Sequence, residues 1–285
     1  MKRAPSPPSL LPGAVLVLAL AAAGCHSPAE KAAAPLVEKN VAARGGLKAW
    51  KAVKAISFSG NLDAGKRRDP VKLAMNYLKQ RTQTKGEMRR AVVAGAAAEP
   101  EKQIQLPFLM ELARPRKMRV EIKFQGETAV QVYDGKSGWK LRPFLGRHEV
   151  EPFTAEELRV ASQQSELDGP LIDASSKGTR VELEGTEQVD GRDTYTLKLT
   201  TGKDVRRVWV DKETFLDVKV DGTRRIDGKQ RQVWTYLRDY KPVNGVMVPH
   251  SMETTIEGVP GSEKIVIDRV VVNPDLDDDR FKKPT

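Results

Sequence analysis

The chain has 285 residues, 48 Lys and Arg against 38 Asp and Glu, a formal charge of +10, three His and one Cys. That length suffices for one large core or two modest domains. A single cysteine rules out an internal disulfide framework, and the three separated histidines, His26, His148 and His250, argue against a zinc site, so the core alone must hold the fold.

The N-terminus reads as an export signal. Met1-Lys2-Arg3 is followed by an apolar stretch, Gly13 to Ala23, which is too short for a membrane-spanning helix of roughly 20 residues. Leu20-Ala21-Ala22-Ala23-Gly24-Cys25 resembles a lipoprotein cleavage site, with Ala22 where leucine is usual. Residues 1–24 are therefore read as a lipoprotein signal peptide, Cys25 as the lipid-attachment residue and 25–34 as a tether. His26 after the cysteine, rather than aspartate, is compatible with the outer membrane. Export argues against nucleic acid as a partner. The positive charge suits anionic headgroups, although it is mostly interspersed apart from Lys66-Arg67-Arg68 and Arg89-Arg90.

A first helix is expected from Pro35, with Leu36, Val37, Asn40 and Val41 as its stripe, ended by Gly45-Gly46. Leu47, Trp50 and Val53 mark a second short helix, and Ile56 and Phe58 open the first strand. Gly60 to Pro70 reads as a charged loop, and Val92 to Pro100 is an Ala- and Gly-rich stretch without an assignment. Three sets alternate with polar neighbours as half-buried strands do: Met118, Val120, Ile122 and Phe124; Tyr195, Leu197 and Leu199; Leu216, Val218 and Val220. Hairpin turns are expected at Asp134-Gly135, Asp190-Gly191, Asp221-Gly222, Asp227-Gly228 and Asn244-Gly245. Thr154 and Glu157 form a capping-box pattern before a helix reaching about Leu167. Residues 35–285 thus read as one mainly β domain. With so few helices, a large antiparallel sheet must curl around them, leaving an apolar concavity.

Several runs, in this order, are similar to the outer-membrane lipoprotein-sorting proteins, the LolA/LolB-like superfamily. They include Gly45-Gly46 with Trp50, Ala113-Arg114-Pro115-Arg116, Tyr133-Asp134-Gly135 to Trp139, Leu167-Asp168-Gly169-Pro170-Leu171-Ile172-Asp173, Val208-Trp209-Val210-Asp211 and Asp239 to Pro249. The resemblance implies a curled, half-open antiparallel β-barrel covered by a few helices, holding acyl chains of lipoproteins or lipids. It transfers no ligand-contact residue. From the residues themselves, Trp50, Phe108, Leu109, Met110, Trp139, Phe144, Trp209 and Trp234 are candidates to line an acyl pocket, with ordinary core packing as the alternative for each.

No nucleophile with a base is evident, so no catalytic residue and no cofactor is expected. Gly135-Lys136-Ser137 lacks the earlier glycine of a phosphate loop and lies in a hairpin. Asp275, Asp277, Asp278 and Asp279 lack the glycine and closing glutamate of a calcium loop and read as a solvated tail. The expected function is a lipid-anchored, periplasm-facing binder of acyl chains, serving sorting or transfer. The alternative is an envelope sensor or scaffold that binds a protein partner and moves no lipid.

Overall fold

A computed structural model describes residues 27–63, 105–226 and 228–285. The signal peptide, Cys25, His26 and the Val92–Pro100 stretch lie outside the described residues. Helix α1 spans Pro28–Ala43 and α2 spans Leu47–Ala52. Strands β1 (Ala55–Asp63), β2 (Gln105–Ala113), β3 (Lys117–Phe124), β4 (Glu127–Tyr133), β5 (Gly138–Arg142) and β6 (Arg147–Pro152) follow. Helix α3, Ala155–Gln164, separates them from β7 (Thr179–Val189), β8 (Arg192–Thr201), β9 (Asp204–Asp211), β10 (Asp217–Ile226), β11 (Lys229–Val243), β12 (Val246–Ile256) and β13 (Val259–Val272).

The described strands form one antiparallel sheet in the order β6-β5-β4-β3-β2-β1-β13-β12-β11-β10-β9-β8-β7. Two meanders join where β13 pairs with β1, Phe58 opposite Val270. Strands β6 and β7 are its edges and do not pair with each other, so the barrel stays half open, as the family resemblance implies.

The first helix starts earlier than Pro35. The Ser27 hydroxyl accepts from the Glu30 amide (3.2 Å), the Glu30 carboxylate accepts from the Ser27 amide (2.6 Å), and Pro28 takes the first helical turn. This reciprocal cap outweighs the bond that Pro35 removes from the helix interior. The Thr154–Glu157 capping box forms as expected, though α3 ends at Gln164.

Two loop readings change. Gly60 to Asp63 continue β1, because the missing Cβ at Gly60 lets the Val266 carbonyl approach at a bulge in the β1–β13 ladder. Asp221-Gly222 is no turn but the middle of β10, opposite Trp234 and Val233. A bulge between Asp217 and Lys219 also breaks the expected period: Val218 packs with Trp209, whereas Val220 packs with the Leu197 and Val208 cluster. The turns at Asp190-Gly191 and Asn244-Gly245 have both residues at positive φ, as two-residue hairpins require.

The inner face is filled in two parts. Trp50 of α2, Ala161 of α3, Leu167 and Ile172 close over Phe58, Phe108, Met118, Val120 and Ile122. Ala33 and Leu36 of α1, with Leu171, cover Leu197, Leu199, Val208 and Val210. The C-terminal tail is not merely solvated. Asp277 caps a short 3-10 turn, Asp278–Phe281, which carries Phe281 into the outer face against Val130 and Val132. Arg280 donates there to Glu111 at 2.7 Å and to Glu121 at 3.2 Å.

Candidate functional site

Helix α1 covers the inner face but leaves open its far side, toward the edge strand β7. An open groove of about 650 Å³ runs there, a ligand-sized volume. Ala34, Val37, Val41 and Ala42 of α1 with Leu47 of α2 form one wall. Leu171, Ala174 and Val181 form the other. Polar groups stand among them: Glu30, Glu38, Asp173, Ser175, Thr179 and Arg180. Leu47 is 36% exposed, high for leucine, and it stands in this groove.

The spacing of α1 makes this wall. Leu36 and Asn40 point into the protein, and Val37 and Val41, one position on, face the groove. Asn40 is fully buried and donates to the Phe215 carbonyl (2.7 Å) and to Asp217 (2.8 Å). Just past the helix and its Arg44 cap comes Gly45, whose absent side chain leaves room for the Gly245 carbonyl of the β11–β12 turn. The Met247 amide then donates to the Arg44 carbonyl at 3.0 Å.

The opposite wall belongs to the segment between α3 and β7, held by charge. Asp168 accepts from Arg114 (2.7 Å) and from Lys177 (2.7 Å). Lys177 also pairs with Glu166 (2.7 Å), and Arg44 Nη1 donates to the Asp168 carbonyl (3.1 Å). Burial pushes the Asp168 carboxyl up, but the hydrogen bonds and charges of Arg114 and Lys177 outweigh it, leaving it below its ordinary range. At Asp217 the balance is reversed: burial wins over Arg44 and Asn40, and the carboxyl is raised.

Among the expected pocket residues, Trp50, Phe108 and Met110 lie on the inner face, within the large core cluster. Leu109 falls between Phe108 and Met110 in β2 and so turns to the other face, opposite Glu121. Trp139 packs on the outer face with Val132 and Phe281. Trp209 packs with Val189, Val218 and Tyr236, and its indole donates to Glu187. Trp234 sits opposite Asp221 and Thr255. Phe144 falls in the 3-10 turn Pro143–Leu145, and its side chain lies outside the described residues. None of the seven described side chains lines the groove. The expected residues are large aromatics with Leu109 and Met110, whereas the groove is walled by Ala, Val and other Leu residues. The usable signal was the α1 stripe.

His148 lies in β6, and His250 in β12 is buried with Nδ1 3.0 Å from the Val248 carbonyl. Among the described residues, no group of three His, Cys, Asp or Glu side chains is placed to hold a metal ion.

A half-open, helix-covered antiparallel sheet with an apolar groove at one edge defines a class of fold. Solved structures place it. The chain shares its fold with a LolA superfamily protein from Nitrosomonas europaea, at a TM-score of 0.51 and 13% identity, over 88% of this chain and 97% of that one. A domain from Vibrio parahaemolyticus described as outer membrane lipoprotein-sorting matches with a TM-score of 0.50 and 10% identity, over 89% and 97%. A DUF1329 family protein from Desulfovibrio piger matches with a TM-score of 0.53 and 12% identity, over 90% and 98%. A family model described only as an uncharacterized protein matches residues 172–285. No curated protein matches the chain in sequence.

Proposed function

We propose that this chain binds the acyl chains of lipids or lipoproteins in the groove between α1 and β7. The observation that carries this reading is the groove itself, about 650 Å³ walled by Val37, Val41, Leu47, Leu171 and Val181. Burying an acyl chain there is favourable by roughly 0.8 kcal/mol per CH₂, before ordering costs. The fold supports the reading, since structures that share it include one described as lipoprotein-sorting. The inner face behind Trp50, Phe108 and Met110 is already packed, which puts the ligand at the edge of the sheet rather than in its middle.

The same reading places the protein on the periplasmic side of a bacterial envelope, tied through a lipid on Cys25 to the outer membrane, with 1–24 as its signal. Cys25 is two residues before Ser27, the cap of α1, so the anchor lies close in sequence to the helix that walls the groove. Among the described residues, no helix is long and apolar enough to cross a membrane. The protein acts by binding and release rather than by catalysis, and its membrane contact is the anchor.

Native mass spectrometry of protein released gently from membranes tests this. Wild type is expected to carry a lipid adduct, and Val37→Trp, which fills the groove, to lose it while staying folded. A protein that is always empty and takes up no fluorescent fatty acid contradicts the reading. A single stable protein partner in cell cross-linking, with no lipid, would support the scaffold instead.

A further inference from the structure

Next to the apolar groove lies a polar cleft with an excess of positive charge. It consists of two cavities, of about 230 and 450 Å³, that share Arg159, Asp204 and Thr223 and so adjoin each other. Thr179, at the start of β7, stands in the wall of both this cleft and the apolar groove. Arg116, Arg159, Lys177, Arg206, Arg224 and Arg225 line the cleft. Among the described residues four carboxylates face them: Glu156, Glu166 and Asp204 in the lining, and Asp168, which accepts from Lys177 at 2.7 Å. Arg159 pairs with Glu156 at 2.6 Å, and Lys177 and Arg206 share Glu166 at 2.7 and 3.3 Å. Arg224 has a partner of its own; among the other described groups, five cations against four carboxylates leave the lining net positive. Arginine side chains present donors in the planar fork that suits phosphate oxygens.

Val205 also lines the cleft, and it is 45% exposed. With Leu47 it makes the pair of large apolar side chains exposed among the described residues, one in each compartment. An apolar groove and a cationic cleft separated by one threonine match a molecule that is greasy at one end and acidic at the other.

We propose that the ligand is an acidic amphiphile of the phosphate-ester class, with its chains in the α1–β7 groove and its phosphate in the basic cleft. This rests on the acyl-binding reading of the groove and names the class of lipid it takes. Charge complementarity selects that class: a neutral diacyl lipid leaves the cationic excess unmatched, and a free phosphate leaves the groove unfilled.

The test uses acyl-labelled fluorescent phosphatidylglycerol, a diacylglycerol with the same chains and label, and glycerol phosphate as a soluble competitor. Wild type is expected to bind the phosphatidylglycerol about tenfold more tightly than the diacylglycerol, the factor of one charge-assisted hydrogen bond or more. The preference is expected to shrink as salt screens the cleft. Arg116 is exposed, with its Nη1 3.5 Å from Ser162 Oγ, and Arg225 is exposed near the β10–β11 turn. The double variant R116Q/R225Q is therefore expected to fold, to lose most of the preference and to bind diacylglycerol as before. Equal binding of the two lipids by wild type, at all salt concentrations, overturns the headgroup proposal and leaves the groove reading standing. Failure to bind either lipid overturns both. Glycerol phosphate that binds as tightly as the lipid makes the cleft a separate phosphate site and overturns the single-ligand proposal.

Discussion

Arg114 and Asp168 meet at 2.7 Å, joining the β2–β3 turn to the segment that walls the groove. Asp168 is nearly buried, and its second oxygen accepts from Lys177, so one carboxylate ties the groove wall to both ends of its segment. Arg114 is 39% exposed and Lys177 keeps Glu166, so removing the carboxylate loses two charge-assisted hydrogen bonds without burying a lone charge. Asp168→Ala is expected to cost about 2 kcal/mol in denaturant unfolding and to weaken lipid retention more than its distance from the groove suggests.

The same carboxylate gives a pH signature. Its folded pKa is lowered from 3.8, so its stabilisation is present above that value and is lost as pH falls below it toward the folded pKa. Wild type should therefore lose stability as pH falls below about 3.8, and Asp168→Asn, destabilised at neutral pH, should show a flatter slope there. Thermal melts across that range check both slopes; parallel curves would mean that Asp168 does not carry the charge described.

A second buried pair holds α3. Lys140 donates to Glu157 at 2.6 Å, with side chains 4% and 0% exposed, while the other Glu157 oxygen caps the helix at the Thr154 amide. Glu157→Ala is expected to cost about 3 kcal/mol, since it loses the cap and leaves the buried Lys140 with only Glu151, 3.8 Å away. The double variant K140M/E157L should recover much of that loss, because an apolar pair needs no compensation. A double-mutant cycle in denaturant measures the coupling.

The contact between the end of α1 and the β11–β12 turn is equally specific. Gly45 has φ +105°, and a Cβ there would lie 2.2 Å from the Gly245 carbonyl oxygen. Gly191, also at positive φ, has open space around its Cβ position. Gly45→Ala should therefore cost more than about 2 kcal/mol, and Gly191→Ala about 1 kcal/mol, in the same unfolding assay.

Much of this architecture is legible in the chain. Met118 to Phe124 and Tyr195 to Leu199 alternate cleanly, and their strands follow. The departures come where tertiary contacts outweigh local preference. Asp221-Gly222 looks like a hairpin turn, but both neighbouring strands run on past it, with Val233 and Trp234 opposite. The bulge at Val218 moves one residue to the other face, a shift that period-two counting cannot register. Pro35 looks like a helix start because proline suits that position, yet Ser27 and Glu30 form the stronger signal eight residues earlier. The groove was half visible: Val37 and Val41 lay on the α1 stripe, but the edge position of β7, which leaves them uncovered, depends on the whole strand order. The basic cleft was out of reach, since Arg116, Arg159 and Arg225 are scattered in sequence and meet only through the fold.

The most direct measurement of the central claim is photo-cross-linking with a diazirine fatty acid, followed by peptide mapping. The account predicts adducts on α1, on β7 or on the segment before β7, at Val37, Val41, Leu171 or Val181, and their loss in Val37→Trp. Adducts confined to the outer-face residues around Trp139 and Trp209, or no saturable labelling at all, would contradict it.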